Sequence, residues 1–247
     1  MAETPVRQGA TQHTDYSIEE LQIVSSKGKK DVSTILVELC YNEDLFNNFS
    51  YGYLSLKDSA GYLEAFQFSG VEFLQLTLTK ADNPIKINKI FRIYKLAKRK
   101  PEGQGLTETY TLYFCTEELM LSEQYKICKA YKGKTVRDII NDISDNDLMI
   151  NNLSLEETTG TYDFIIPNIK PFDAINWLLN YARSAANPES ADMLFYEDRE
   201  GYKLRSLQSL YSQQPLDVYT FAPKNVPSLD SDISNIQSTM TNAMTYE

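Results

Sequence analysis

The sequence predicts a mainly β fold, an antiparallel sandwich or small barrel, followed by an α/β segment and then a return to strands. Three observations carry this. Apolar residues recur with period two through 17–116. The period lengthens to a helical one after Thr116, and alternation resumes near 191.

Residues 1–16 are polar, with Pro, Gly, Gln and Thr, and read as a flexible arm. In 17–116, Leu21 and Ile23 alternate with Glu20 and Gln22, and Ile35, Val37 and Leu39 alternate with Thr34, Leu36 and Glu38. The same holds for Leu74, Leu76 and Leu78, and for Tyr110, Leu112 and Phe114. Turn residues punctuate these runs at 26–29, 58–61, 69–70, 82–84 and 101–105. About seven strands with no long helix between them are expected. The 85–99 and 106–116 runs, joined by a Gly-containing loop, read as one long hairpin whose tip carries a basic cluster.

After Thr116, Glu117 and Glu118 open a short helical stretch, where carboxylates complement the amino-terminal end of the helix dipole. Thr135 is positioned to cap a helix with Val136, Ile139, Ile140 and Ile143 on one face. Pro171 suits the first turn of another, whose apolar stripe is Phe172, Ile175, Trp177, Leu178, Leu179 and Ala182. Tyr162–Ile166 is a short strand between them. Residues 117–190 are thus α/β in character. Residues 191–205 read as a hairpin turning at Asp198–Gly201, and 216–221 as a further strand. The stretch 224–247 is rich in Ser, Asn, Asp and Thr and reads as a polar linker or tail.

The 247 residues hold 24 Lys and Arg, 34 Asp and Glu, one His and three Cys. A net charge of −10 argues against a general nucleic-acid binder, which needs clustered, uncompensated cations. Eight of the 24 basic residues lie in 80–100 against one acid, Asp82, so the rest carries 16 basic and 33 acidic groups. Such separation suits a subunit that docks on copies of itself or on charged neighbours; a solvated Lys-rich hairpin is the plain alternative. No apolar run approaches the roughly 20 residues of a membrane-spanning helix, and 1–16 lack a signal-peptide core, so a soluble product of the cytosol is expected.

The residues carry no pattern of catalysis. His13 lies in the polar arm, and without a second His neither a Ser-His-Asp nor a Cys-His arrangement can be assembled. Cys40, Cys115 and Cys128 lack metal-ligand spacing, and Asp142, Asp145 and Asp147 lack the Gly and closing Glu of a calcium loop. No phosphate-cradling glycine motif opens a helix. The carboxylate pairs Glu43/Asp44, Glu117/Glu118, Glu156/Glu157 and Glu197/Asp198 mark turns and helix starts. We expect no enzyme, no catalytic, cofactor or metal residues, and no cofactor. Tyr51, Tyr53, Tyr94 and Tyr113 lie where an outward strand face would be polar, which suggests a subunit interface or a sandwich packed on both sides. With Lys95, Lys98, Arg99 and Lys100 they are the candidate interface residues.

Several motifs resemble a known family. Glu43-Asp44-Leu45-Phe46, then Gly52, then Asp58-Ser59-Ala60-Gly61, follow the order seen in baseplate central-hub proteins of contractile-tailed, T-even-like bacteriophages. Ser69-Gly70-Val71-Glu72-Phe73 is similar to that family's Gly-x-Glu turn into a long strand. Residues 110–118 and 126–132 resemble its strand-to-helix exit, and 168–177 and the 194–202 hairpin also fit. The resemblance covers about 17–223.

It implies a homotrimeric ring built from tube-like β-barrels, lying between the tail tube, or a tube-initiator protein, and the central spike, beside the baseplate wedge proteins. DNA would be present only in transit and no membrane would be involved. The chain would reside in the virion tail baseplate after assembly in the host cytoplasm. It further implies two barrels per chain with an α/β segment between them. Here a first barrel at 17–116 and an α/β insert at 117–190 are followed by strands at 191–223 too few for a second barrel, so either the polar end at 224–247 leads towards missing strands or this hub uses one complete barrel and a fragment. An acidic lumen would let DNA slide, leaving the basic hairpin at a subunit seam. The alternatives are the hub of a non-phage contractile injection system and a β-sandwich module that binds glycan or peptide.

Overall fold

The computed structural model describes residues 16–66, 68–80, 83–102, 107–189 and 191–214. The arm at 1–15 with His13, the loop tip at 103–106, the strand expected at 216–221 and the tail at 224–247 lie outside the described residues. The chain divides after Gln208. Of the second unit, the described part is the end of a short helix and the turn that follows it.

The elements are, in order, β1 (Tyr16–Ser25), β2 (Gly28–Asp31), a 3-10 turn (Ser33–Ile35), β3 (Leu36–Asn42), β4 (Tyr51–Asp58), α1 (Tyr62–Phe66), β5 (Phe73–Lys80), β6 (Asn83–Glu102) and β7 (Thr107–Cys115). There follow α2 (Glu117–Gln124), β8 (Ala130–Lys134), α3 (Val136–Asn146), β9 (Leu153–Leu155), β10 (Tyr162–Ile165), α4 (Pro171–Leu179), β11 (Met193–Asp198), β12 (Gly201–Ser206) and α5 (Leu207–Tyr211).

The first seven strands form one antiparallel sheet, ordered β2-β1-β5-β6-β7-β4-β3. Its two edge strands are consecutive in the chain, joined only by 32–35. Five residue steps reach at most about 18 Å, whereas the edges of a flat seven-stranded sheet stand about 29 Å apart. The sheet must therefore curl, and it forms a half-barrel whose edges are joined by the 3-10 turn; Val32 N–H, just before that turn, continues the β1–β2 ladder to Leu21 O at 3.0 Å.

The concave face is the first core. Leu21, Ile23, Leu54, Leu56, Leu74, Leu76, Phe91, Tyr110, Leu112 and Phe114 are all buried there, as the alternation predicts for three of the four runs. The exception is 35–39. Val37 is 63% exposed, because β3 is an edge strand with an irregularity between Leu36 and Glu38 that turns the alternation over. Gly52 sits beneath Phe114: a Cβ there would lie 2.1 Å from Cys40 O and 2.6 Å from the Phe114 ring. Two buried carboxylates close the turns. Asp58 accepts from the Ala60 and Leu63 amides, and Glu72 from the Ser69 and Gly70 amides and the Ser69 hydroxyl. Burial raises the Glu72 carboxyl, but those bonds outweigh it and hold the group below the usual carboxylate range.

The second core belongs to the α/β part. Val136, Ile139, Ile140 and Ile143 of α3 pack with Phe172, Ile175 and Leu178 of α4. The Thr135 side chain caps α3 by accepting from Asp138 N–H at 3.1 Å, and Pro171 opens α4. Trp177 is partly buried on this core, edge-on to Phe164 and Tyr181. β8 and β10 form a two-stranded sheet. The 191–206 hairpin forms the larger part of a three-stranded sheet in which β12 runs parallel to β9. Met193, Phe195, Tyr202 and Leu204 of that hairpin are buried in the α/β core.

Candidate assembly surface and the seam behind it

The outward face of the curled sheet brings the four predicted tyrosines together. Tyr53 and Tyr113 are direct cross-strand partners, with ring centroids 5.9 Å apart, and Tyr94 lies 6.4 Å from Tyr113. Tyr51 stands opposite Cys115 at the end of the same two strands and packs against Phe49. The Tyr53 hydroxyl donates to Glu38 at 2.9 Å, which keeps its proton on above the usual tyrosine range. Between this ladder and α2 lies an apolar groove of about 470 Å³ lined by Phe49, Tyr51, Tyr94, Cys115, Leu119 and Met120.

The basic stretch divides into two kinds of residue. Lys86 pairs with Glu19 at 2.8 Å, Lys89 with Glu197 at 2.6 Å, and Arg99 forms a fork on Glu108 with bonds of 2.7 and 2.9 Å. Arg92 lies over the Phe73 ring. Lys95, by contrast, lies mid-strand over the Tyr113 ring at 5.2 Å, not at the hairpin tip. Lys98 occupies an irregularity in β6, with φ 54°, and Lys100 pairs with Thr109 in the ladder. Among the described residues Lys95, Lys98 and Lys100 have no carboxylate partner. Of the predicted cationic set, the structure therefore leaves these three available and ties Arg99 within its own sheet.

Sequence reasoning missed the seam where the α/β part meets the strand ends. The Glu197 carboxylate accepts from Lys89 Nζ at 2.6 Å and from Ser50 N–H at 2.7 Å, and Lys89 also donates to Asp198 O. The Asn48 and Asn176 amides bond reciprocally at 3.0 and 2.8 Å, and Asn48 donates to Phe195 O at 2.8 Å. The Tyr202 hydroxyl reaches Glu118 at 3.2 Å and Thr116 Oγ1 at 3.5 Å. Burial raises the Glu118 carboxyl above the usual range, and the nearby Glu197 charge adds to this. Burial likewise pushes the Cys115 thiol up to about 12. The only signal in the sequence was the Glu197/Asp198 pair, read as a solvated turn. Partners over 100 residues away cannot be read from spacing.

The surface therefore consists of a tyrosine ladder and an apolar groove, with three lysines of β6 that lack a carboxylate partner and no grouping of nucleophile, base and oxyanion donors among the described residues. Asp142, Asp145 and Asp147 are each engaged locally: Asp142 by Tyr131, Asn146 and Lys129, Asp145 by Asn141, and Asp147 by Lys129.

No protein-family model matches the chain. The "Probable baseplate hub protein gp334" of Vibrio phage KVP40 is 29% identical over 175 residues, covering 68% of this chain. The chain is similar to that baseplate hub protein. It spans 40% of that relative's length. The 43 kDa tail protein of prophage MuSo2 from Shewanella oneidensis superposes with a TM-score of 0.50 at 10% identity, covering 75% of this chain and 52% of that one. A tail protein from Neisseria meningitidis MC58 gives 0.49 at 11% identity, covering 76% and 50%. At 10% identity the likeness to the MuSo2 prophage protein is one of fold. The hub resemblance read from Glu43-Asp44-Leu45-Phe46, Gly52 and Asp58-Ser59-Ala60-Gly61 is met by a match over 68% of the chain.

Proposed function

We propose that this chain is a structural subunit of a phage tail baseplate hub. In this reading it forms a homotrimeric ring that joins the tail tube, or a tube-initiator protein, to the central spike, with wedge proteins around it and DNA passing through the lumen. Its place is the tail of the virion, after assembly in the host cytoplasm. The observation that carries the reading is the 29% identity to a hub protein over 68% of the chain, on a curled antiparallel sheet. The relatives reported above are tail and baseplate proteins, which favours a structural over an enzymatic role. Residues 17–116 serve as tube-like wall and 117–190 as the α/β insert outside it.

The face bearing Tyr51, Tyr53, Tyr94 and Tyr113 with Lys95, Lys98 and Lys100 is the proposed subunit interface. Aromatic side chains beside unneutralised cations suit a contact that is apolar at its centre and electrostatic at its rim. Arg99 supports the face from within through Glu108.

The test is the oligomeric state by light scattering, with negative-stain imaging for rings. The wild type is expected to form trimers. Reversal of Lys95, Lys98 and Lys100 to Glu should leave folded monomers, and a wild type that stays monomeric at high concentration would refute the reading. Ring formation unchanged by the triple reversal would remove this face as the interface while leaving the hub role standing.

A further inference from the structure

The sheet and the α/β part have separate cores that share no residue. The chain passes between them once, at Thr116. Among the described residues the contacts that join them elsewhere are mostly polar: Lys89 and Arg92 from the sheet face Glu117, Glu118, Glu197 and Asp198 from the other side, with the Asn48–Asn176 pair and the Tyr202 hydroxyl beside them. Tyr41, bonded to Glu43 and Ser50, and the Cys115 thiol are further titratable neighbours on the sheet side. The aromatic contact across the seam is Phe49 on Phe172, with centroids 6.4 Å apart. Thr116 precedes α2 in the capping position, yet its hydroxyl makes no cap bond and lies instead beside Tyr202.

From this geometry we infer that the α/β part is a hinged arm, pivoting at Thr116 and held shut by a latch of Lys89, Glu197, Ser50 and the Asn48–Asn176 pair. Opening breaks polar bonds that water can replace and parts the Phe49–Phe172 contact, while each core keeps its own packing, so neither core need come apart. In the open state the Thr116 hydroxyl is free to cap α2. A latch of this kind lets a subunit change the angle of its outer part when it meets neighbours, without refolding.

Cys115 reports the opening. It is 1% exposed, adjoins the pivot, and shares its groove with Leu119 and Met120 of α2. α2 moves with the arm, because Ser122 Oγ accepts from Phe172 N–H and Glu123 pairs with Lys170. In the full chain carrying Cys40→Ser and Cys128→Ser, labelling of Cys115 by 5,5′-dithiobis(2-nitrobenzoate) is measured against urea, beside global unfolding followed by Trp177 fluorescence. The hinge predicts labelling at least tenfold faster than global unfolding allows, with a clearly weaker urea dependence. Glu197→Gln and, as a milder variant, Asn48→Ala should each raise the rate at least tenfold while amide protection in 107–115 and 136–146 holds. Labelling with the urea dependence of global unfolding would overturn the inference. So would a rate that neither latch variant changes, or one that rises only as amide protection falls in both cores.

Discussion

Replacing Lys89 with methionine keeps most of the side chain's apolar stem and removes the cation bonded to Glu197. The two side chains are 11% and 6% exposed, so water cannot take over the ammonium's role. Glu197 would retain the Ser50 amide but lose its 2.6 Å charge-assisted bond, and Asp198 O would lose its donor. Each lost charge-assisted bond is worth about 1.5–3 kcal/mol, and breaking one side of a buried pair costs about 3–5 kcal/mol. The two routes agree, and for a chain of this size they imply a fall in melting temperature of about 10 °C. Urea unfolding followed by the single tryptophan, Trp177, measures the loss. Lys89→Met with Glu197→Gln should recover at least half of it, since the double variant leaves neither member of the pair buried as an uncompensated charge. A loss below about 1 kcal/mol for Lys89→Met, or a double variant no better than either single one, would refute the buried-pair account.

Three further outcomes follow from single sites. Gly52→Ala drives a methyl group into Cys40 O and the Phe114 ring and should cost about 3 kcal/mol or more, seen as a lowered thermal midpoint; a drop under 2 °C would contradict the packing. Thr135→Ala removes the cap on α3 and should cost about 1 kcal/mol in urea unfolding, with Thr135→Ser nearly neutral. Glu118 has a folded pKa raised by burial, so the folded state holds its proton where the unfolded state has lost it. Its contribution to stability is therefore full below the ordinary carboxylate range and is lost as pH rises through the raised value. Glu118→Gln should flatten that decline and stabilise the protein at pH 7 relative to wild type. A variant with an unchanged pH profile would show that the group is solvated.

Much of the fold was legible because burial imposes a period. Leu74, Leu76 and Leu78, the Tyr110–Phe114 run, and the Val136–Ile143 stripe each have one face in a core, so their alternation names their element. Where one face is not buried, the signal fails. β2 (GKKD) is exposed throughout, β8 is largely polar, and β9 has three residues, and none of these was recognised as a strand. Of the candidate surface, the four tyrosines were legible because aromatic residues broke an expected polar face. The separation of Lys95, Lys98 and Lys100 from Arg99, Lys86 and Lys89 was not, because it depends on which carboxylate stands opposite.

The sequence by itself determined the mainly β class, the switch to α/β at Thr116, the helix starts at Thr135 and Pro171, and the motifs of a hub-like chain. These are local, set by one to four residues of spacing and by the hydrogen bonds a turn can make with itself. Only the tertiary structure decided the curl of the sheet, the parallel pairing of β9 with β12, and the bond between Lys89 and Glu197. Each of these joins groups far apart in the chain, and their meeting is set by how two cores pack, which no local pattern encodes.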